Sequence, residues 1–572
     1  MRSIPTKGIL HAVLLAGTCL SPAFAQGLPS DAEAAMLDAP PPALGAAVEA
    51  MPTTPPDPIL PPEADAFRSA VRAAAADLPD ADRAGIESYY AARDFAPYWT
   101  APGSDSVNVL VAALQAAPAQ GLPAARYDPV ALAALFGTEP AATPALREVA
   151  AIRAYLRFAG DLSAGMLRPS RIDDEIDITP VRPTPTAMLA RLDTAPLAEV
   201  LTGFEPQSPD YRALIAEKAR LEGLVQGAAW GPQVAAGPSL HPGDNDGRVA
   251  SLRARLARLG YGAPAGDAAS PHFDPALSAA VEQFQRDHGL NADGVVGQHT
   301  LDEINTSAKD RLEQVVVNLE RMRWLNRDFG PRYILVNIPN FVATVYEDRK
   351  PVWQSKVVVG EAQKTRSAEF SGLMTYMVIN PSWHVPISIA KRVYLPQLQR
   401  DPGILARANM ELMTQSGTVI DPKLIDFAAL NGSFPFRIRQ SPSDGNALGH
   451  VKFIFPNDHA IYMHDTPHRD LFAKDSRAFS NGCIRLADPD GLAHLLLRDQ
   501  VADPVAAYDK WVDGKVEKTV MLEFPIPVNL VYRTVFLDQG GALRFRDDVY
   551  GRDAKVFRAL QDAGVTLPTA EG

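Results

Sequence analysis

The sequence predicts an α+β chain of several domains: a helical domain, a small three-helix domain, and a mainly β domain with a helical insertion. Three observations support this prediction. The length of 572 residues is enough for three or four domains of ordinary size. Hydrophobic residues make up 47% of the chain, so large cores can form. The hydrophobic period changes from helical to alternating near residue 332.

The N-terminal segment is expected to contribute no folded core. Residues 1–25 have the pattern of a signal peptide, with Arg2 and Lys7 before a short apolar stretch and an Ala-x-Ala site before Gln26. Residues 26–62 are rich in Pro and Ala, which predicts a disordered linker. The expected location is the periplasm, after cleavage of the signal. The net charge of −12 and the lack of any Lys/Arg run exclude a nucleic-acid partner.

Two helical regions follow the linker. Residues 63–240 are rich in Ala and Leu at helical spacing, which predicts a helical domain without indicating its chemistry. Residues 243–305 contain three shorter helical segments. Asp274 followed by Pro275 predicts the capped start of the second of these. Residues 306–331 are expected to form a connecting helix.

Residues 332–555 are predicted to form the mainly β domain. The charged residues 347–350 predict a hairpin turn. Between 386 and 432 the strand pattern fades and helices are expected, so this insertion is either a mobile lid or a packed excursion. The alternating hydrophobic pattern predicts strands at 333–338, 341–346, 352–359, 373–379, 451–455 and 460–464.

Cys483 is the candidate nucleophile. The other cysteine, Cys19, lies in the predicted signal peptide, so the exported protein would hold one thiol and no internal disulfide. A thiol attacks a carbonyl as its thiolate, so it needs a neighbour that takes its proton, and His464 at the end of an apolar strand is the candidate base. Gly482 permits a tight turn in which its own N–H and that of Cys483 would bind an oxyanion. Arg485 would place a positive charge near the thiolate or a substrate carboxylate. A structural role for both the thiol and the imidazole stays open.

A zinc site is a weaker alternative. His459, His464 and His468 are four or five residues apart, but Pro467 interrupts any helix that would align them. The chain also lacks a His-Glu-x-x-His pattern. No metal and no cofactor is therefore predicted.

Several sequence segments resemble one enzyme family. Residues 462–467 (Tyr-Met-His-Asp-Thr-Pro) and 480–486 (Ser-Asn-Gly-Cys-Ile-Arg-Leu) resemble the signature of L,D-transpeptidases with a YkuD-type catalytic domain. Residues 243–305 resemble a three-helix peptidoglycan-binding domain. Together with 380–383 and 546–553, these segments are similar to the YcbB-like branch, which has a helical scaffold domain, a peptidoglycan-binding domain and a catalytic domain with an inserted lid.

The resemblance implies roles for individual residues. Cys483 would be the nucleophile, His464 the general base, and the backbone carbonyl of Asp465 would orient the other imidazole nitrogen. Arg485 would shape the site. The chain departs from the family at Asn481, because many members have His before the Gly-Cys pair.

The predicted substrate-binding residues surround this centre. They are Tyr462, Trp383, Asn481 and Ser480, although core packing is an alternative for the first two. The family reaction is a two-step acyl transfer on peptidoglycan. The cysteine attacks the meso-diaminopimelate carbonyl of a tetrapeptide donor stem and releases D-Ala, and the thioester then passes to the side-chain amine of an acceptor stem as a 3→3 cross-link. Other cell-wall synthesis proteins are further expected partners.

Several functions remain open at this point. A water acceptor would make the protein an L,D-carboxypeptidase, and a lipoprotein lysine would make it an anchoring enzyme. A sortase-like enzyme also uses His, Cys and Arg, but its His and Cys are usually much farther apart. The β domain could instead be a non-catalytic wall-binding scaffold, and residues 243–305 a helical spacer.

Overall fold

The helices and strands below come from a computed structural model. The predicted signal peptide and nearly all of the predicted linker lie outside the residues that it describes. In the described part of the chain, no helix is long and apolar enough to cross a membrane. The described residues are 60–137, 142–227, 230–262, 269–430 and 432–569.

The region predicted to be helical forms a helical assembly. Its largest core surrounds Trp99 and Tyr155, which are both fully buried. The helices are α1 (Pro62–Ala74), α2 (Asp80–Ala91), α3 (Ser106–Gln115), α4 (Pro129–Leu135), α5 (Pro144–Ala164), α6 (Pro169–Ile172), α7 (Pro185–Ala190), α8 (Leu197–Thr202) and α9 (Pro209–Gln226).

Proline starts many of these helices instead of breaking them. Proline at the first helical position has no N–H to satisfy, and its fixed φ already suits a helix. In seven helices of the described ranges, this proline follows a residue whose side chain accepts an N-terminal N–H. The prediction for Asp274 is confirmed. The seven caps are Asp128, Thr143, Thr184, Ser208, Asp274, Asp488 and Asp503.

The predicted three-helix region is confirmed. It contains α10 (Arg248–Arg258), α11 (Pro275–His288) and α12 (Gln298–Asn305), which share one hydrophobic core. Helix α13 (Ala308–Trp324) follows and begins with a capping box between Ser307 and Asp310. It packs against α9, so the connecting segment is part of a core.

The β domain is built on a nine-stranded sheet with the order β11-β3-β12-β10-β9-β4-β13-β1-β2. Strand β3 also pairs with β2, so the two ends of the sheet meet. The strands are β1 (Arg332–Asn337), β2 (Val342–Glu347), β3 (Lys350–Gly360), β4 (Phe370–Ile379), β9 (Val451–Ile454), β10 (Met463–His464), β11 (Ala478–Ser480), β12 (Ile484–Leu486) and β13 (Lys518–Val531).

The predicted hairpin turn is confirmed by the backbone. Glu347 pairs with Lys350, and the two residues between them, Asp348 and Arg349, have φ of 46° and 65°. Both central residues are therefore left-handed, as a two-residue type I′ hairpin requires.

The insertion contains strands as well as helices, so the prediction of a purely helical insertion needs correction. A second sheet has the order β5-β8-β6-β7, and the segment predicted as a helix at 422–430 forms only two short 3₁₀ turns. These strands are too short for a clear alternating pattern. The elements are β5 (Trp383–His384), α14 (Ile387–Ile389), a π-turn (Ala390–Tyr394), α15 (Leu395–Leu398), α16 (Ile404–Arg407), β6 (Met410–Met413), β7 (Val419–Ile420) and β8 (Arg437–Gln440).

The C-terminal residues 489–562 add one strand to the main sheet and end in a helix that packs against the helical region. Strand β13 lies between β4 and β1, and α19 packs against α13. The remaining elements are α17 (Pro489–Leu497), α18 (Pro504–Asp513), β14 (Val535–Leu537), β15 (Leu543–Phe545) and α19 (Arg552–Asp562).

The helical region touches the β domain through a short backbone bridge. Ile176 pairs with Glu369 in parallel, and the Asp177 N–H donates to the Glu369 carbonyl at 2.8 Å. Buried Arg552 lies between the carboxylates of Glu369 and Glu175, at 3.2 and 3.0 Å. The region from α6 to α7 is thereby fixed next to the main sheet.

Candidate active site

Two adjacent parallel strands place the candidate residues on one face of the sheet. Met463 of β10 is opposite Ile484 of β12, and His464 is opposite Arg485. Side chains alternate along a strand, so Cys483 and Arg485 point to the same face as His464. Tyr462 is on this face too, one position before the paired residues. The predicted strand at 460–464 is shorter than expected, because Ala460 has a φ of 53°.

The His464 ring is buried and held by its own loop. Its Nδ1 hydrogen bonds to the backbone carbonyl of Asp465. A carbonyl only accepts, so Nδ1 carries the proton and Nε2 is left with a free lone pair. Burial, together with the charges of Arg485 and Lys452, lowers the pKa of His464 to about 3, although the Asp465 hydrogen bond acts in the opposite direction. The imidazole is therefore neutral at pH 7 and can accept a proton at Nε2.

The Cys483 side chain is half-buried, and its thiol donates to the carbonyl of Ala460 at 3.8 Å. Burial raises the pKa of Cys483 to about 11, while contacts with Tyr462 and the charge of Arg485 lower it. At neutral pH the resting site therefore holds a neutral thiol and a neutral imidazole on the same face of the sheet. It does not hold a preformed thiolate–imidazolium pair.

The backbone turn before the cysteine depends on glycine. Gly482 has a φ of 112°, which side chains on L-residues rarely allow. Its N–H donates to the Ser480 hydroxyl at 3.1 Å, and that hydroxyl donates to the Cys483 carbonyl at 2.6 Å. The role of the Gly482 N–H as an oxyanion donor stays a prediction, and in this arrangement the group would first have to leave the Ser480 hydroxyl. The Cys483 N–H makes no hydrogen bond with any described residue, so it is available.

The predicted substrate residues differ in how accessible they are. Ser480 is 2% exposed and bonded within the loop, so its role as a substrate contact stays a prediction, and in this arrangement its hydroxyl supports the loop. Asn481 is exposed and accepts from Arg392 of the π-turn, which joins the insertion to the cysteine loop. Trp383 is half-buried, and its ring meets Tyr394 edge-on at 6.3 Å.

Arg485 has a guanidinium without a counter-ion. Among the described residues it forms no ion pair, and its buried Nε has no hydrogen-bond partner. Burial lowers the pKa of Arg485, while neighbouring Cys483 raises it. A largely buried guanidinium with no carboxylate partner usually marks a site where an anion binds. The sequence indicated a positive charge here but could not indicate that it is unpaired.

The histidines suggested as zinc ligands do not form a cluster. His459 contacts Asp177 at 3.0 Å, and His468 is exposed. Within the described ranges, no group of three or more His, Cys, Asp or Glu side chains could hold a metal ion.

The same region matches a family of known enzymes. Residues 331–512 match the model described as "L,D-transpeptidase catalytic domain", of the YkuD family. These residues form a YkuD-type L,D-transpeptidase catalytic domain. Residues 84–217 match "Scaffold domain", and residues 245–304 match "Putative peptidoglycan binding domain". The chain therefore joins an L,D-transpeptidase catalytic domain to a helical scaffold domain and to a three-helix region that matches a putative peptidoglycan-binding domain.

A curated relative shares part of the chain. A protein from Haemophilus influenzae named "Putative L,D-transpeptidase" is 33% identical over 254 residues, which cover 44% of this chain and 51% of that protein. The chain spans about half the length of this relative. Crystal structures of L,D-transpeptidases from Xylanimonas cellulosilytica and Stackebrandtia nassauensis are each 14% identical. The alignments cover 53% of this chain, and 98% and 97% of the two crystallised chains. The TM-scores of 0.17 and 0.19 are low.

The L,D-transpeptidase domain also holds supporting residues that sequence reasoning missed. The Ser367 hydroxyl donates to the Gly482 carbonyl at 2.7 Å and accepts from the Gly360 N–H at 3.0 Å. The Tyr550 hydroxyl donates to the Gly360 carbonyl at 2.8 Å, and Arg552 donates to the Ser367 carbonyl at 3.0 Å. The sequence indicates residues 546–553 only through a family resemblance, and no sequence pattern predicts a supporting role for Ser367.

Proposed function

We propose that the protein cross-links peptidoglycan stems as an L,D-transpeptidase, with Cys483 as the nucleophile and His464 as the general base. The cross-link would join the third residues of two stems, with release of D-Ala from the donor. The observation that carries this proposal is the shared sheet face of Cys483, His464 and the unpaired Arg485.

The first step would form a thioester. A rotation of the Cys483 side chain exchanges its weak bond to Ala460 for the Nε2 lone pair of His464. The thiol proton moves to Nε2 as the sulfur attacks the meso-diaminopimelate carbonyl, and the Cys483 N–H donates a hydrogen bond to the developing oxyanion. Collapse breaks the bond to D-Ala, whose amine takes the proton from His464.

Arg485 would make this step depend on the substrate. A substrate carboxylate that binds the guanidinium neutralises the charge that lowers the pKa of His464. The pKa of His464 then rises by the share that Arg485 contributes, while burial still holds it below its ordinary value, so the imidazole is a stronger base when a donor stem is in place. The free enzyme, with a neutral thiol, would react more slowly with other electrophiles than a thiolate does.

The second step would transfer the acyl group to an amine. The side-chain amine of an acceptor stem attacks the thioester, its proton passes to His464, and Cys483 leaves as the thiol after taking that proton back. The insertion touches the cysteine loop through Arg392 and Asn481, so it can limit the access of water to the thioester.

Export and wall binding complete the proposal. The sequence pattern of residues 1–25 supports a signal peptide and hence a periplasmic location. The matches to a wall-binding type of domain and to a transpeptidase domain support peptidoglycan as the partner of the chain.

Mass spectrometry of muropeptides after incubation with the purified protein tests the proposal. Wild type should produce cross-linked dimers and free D-Ala, and Cys483→Ala should produce neither. Ser416→Ala, at an exposed serine of the insertion, is the matched control and should behave as wild type. His464→Gln should acylate at least about 100-fold more slowly, the usual loss for a missing general base.

Each alternative gives a different product. Tripeptide stems without dimers would identify a carboxypeptidase, and a wild type without acyl adduct or product would identify a non-catalytic scaffold. Cross-linking by Cys483→Ala would refute the assignment of the nucleophile.

A further inference from the structure

The helical region contains a cavity of 840 Å³ with an excess of basic side chains. It opens between α5 and the two chain segments 165–170 and 178–185. Its volume is within the range of small-ligand and peptide sites. Five arginines face three aspartates around it, although the whole chain has a net charge of −12. These residues are Arg126, Arg153, Arg157, Arg168 and Arg182, with Asp77, Asp82 and Asp161.

Two of the arginines are held in place by a buried acid. The Asp161 side chain is 1% exposed and accepts from Arg126 Nε at 2.7 Å and from Arg182 Nη2 at 2.9 Å. The Tyr127 hydroxyl also donates to it at 3.2 Å. The two arginine side chains remain 32% and 44% exposed, so the rest of each guanidinium is accessible to a ligand. A buried carboxylate that fixes two exposed guanidiniums is a preorganised anion site.

A glycine inside α5 supports the same interpretation. A Cβ atom at Gly160 would lie 1.9 Å from Arg182 Nη1. Glycine in a helix interior costs about 1 kcal/mol relative to alanine. The helix therefore carries an unfavourable residue where Arg182 crosses it toward Asp161.

Two further arginines have no carboxylate partner. Arg157 donates to the backbone carbonyl of Arg126 at 3.2 Å, and Arg168 is exposed without an ion pair to any described residue. Neither arginine forms an ion pair with the three aspartates of the wall, so both are available to an anionic ligand.

The cavity also lies next to the catalytic loop. Residues 178–180 line it, and Asp177 contacts His459 at 3.0 Å. His459 precedes Ala460, which accepts from the Cys483 thiol. Three residues of extended chain span about 10 Å, so the 178–180 wall of the cavity lies within about that distance of the residue that contacts His459.

From this arrangement we infer that the cavity binds a peptidoglycan stem peptide through its free carboxylates, as a second site beside the one that is acylated. This inference rests on the proposed function. A stem that ends in D-Ala and contains meso-diaminopimelate carries at least two carboxylates, and guanidinium groups bind carboxylates in a bidentate way. The site would hold one stem of the wall close to Cys483 while another reacts.

Equilibrium binding of a synthetic tetrapeptide stem to the full chain tests the inference. The measurement uses a Cys483→Ala background to prevent turnover. Adding Arg157→Gln and Arg168→Gln should weaken binding about tenfold at low salt, with a smaller loss at high salt. Arg171→Gln, an exposed arginine of α6 outside the cavity, is the matched control and should bind as the background protein does. Equal affinity of the double variant and the control would overturn the inference.

Photo-crosslinking locates the peptide independently of these variants. A stem peptide with a diazirine group should label residues 165–170 or 178–185 in addition to the catalytic domain, and labels confined to the catalytic domain would overturn the inference. Failure of the proposed function is read separately. If wild type forms no acyl adduct at Cys483 with the same peptide, the catalytic proposal fails whatever the binding result is.

Discussion

The reactivity of the Cys483 thiol gives the sharpest test of the resting site. A rise in the pKa of this thiol from 9.0 to about 11 lowers the fraction of thiolate at pH 8 by about 100-fold. A thiolate of higher pKa is also more nucleophilic, which returns about a factor of ten. We therefore expect alkylation by iodoacetamide to be about tenfold slower at pH 8 in the folded protein than in the same protein unfolded in denaturant.

The dependence on pH is more decisive than the absolute rate. The alkylation rate at Cys483, followed by mass spectrometry of the peptide that contains it, should rise about tenfold per pH unit from pH 7 to pH 10. A thiolate–imidazolium pair would instead give a plateau near neutral pH, and such a plateau would refute the neutral-pair description. Arg485→Gln should slow alkylation further because the guanidinium lowers the thiol pKa. Arg485→Lys keeps the charge and should restore most of the rate.

Three more predictions concern the surroundings of the cysteine. The pKa of His464 is about 3 in the folded state and 6.5 in the unfolded state, so between these values the unfolded state binds more protons. The free energy of unfolding should therefore decrease as the pH falls below 6.5, by about 2 kcal/mol at pH 5. Urea denaturation should show a smaller decrease for His464→Gln than for wild type. Ser367→Ala leaves the Gly482 carbonyl without its donor and should cost about 1–3 kcal/mol of unfolding free energy and slow acylation, whereas unchanged values would exclude Ser367 as a support. Arg392→Gln should slow acylation a few-fold, because it removes the contact with Asn481 of the cysteine loop. The control Lys391→Gln, at the exposed neighbouring residue, should acylate as wild type does. Equal acylation rates in the two variants would contradict a role for the contact.

Local sequence patterns predicted much of the fold. Alternating hydrophobic residues located β1 to β4 to within a few residues, and Asp274 with Pro275 located the start of α11. The strands of the insertion were missed because β6 has four residues and β7 only two. A strand this short is stabilised by its partners, which are distant in the sequence.

The candidate site could be predicted only in part for the same reason. The sequence indicated Cys483, His464 and Arg485 because their residue types and spacing suit acyl transfer. The hydrogen bond that occupies the Gly482 N–H, and the absence of a described counter-ion for Arg485, depend on tertiary contacts. The donor from Ser367 comes from a loop more than a hundred residues earlier, which no local pattern could indicate.

Strand β13 has a consequence for how the protein is made. Residues 518–531 form an interior strand of the main sheet, hydrogen-bonded to β4 on one side and to β1 on the other. During synthesis β1 can pair with β2 at once, but it must wait for almost two hundred later residues before its second neighbour exists. Loop closure over such a separation is slow, and exposed strand edges are prone to misassociation in the interval. A chain cut at residue 512, where the catalytic family match ends, would lose the strand that joins β4 to β1. Chains released early by stalled ribosomes should therefore fail to complete the sheet and be degraded.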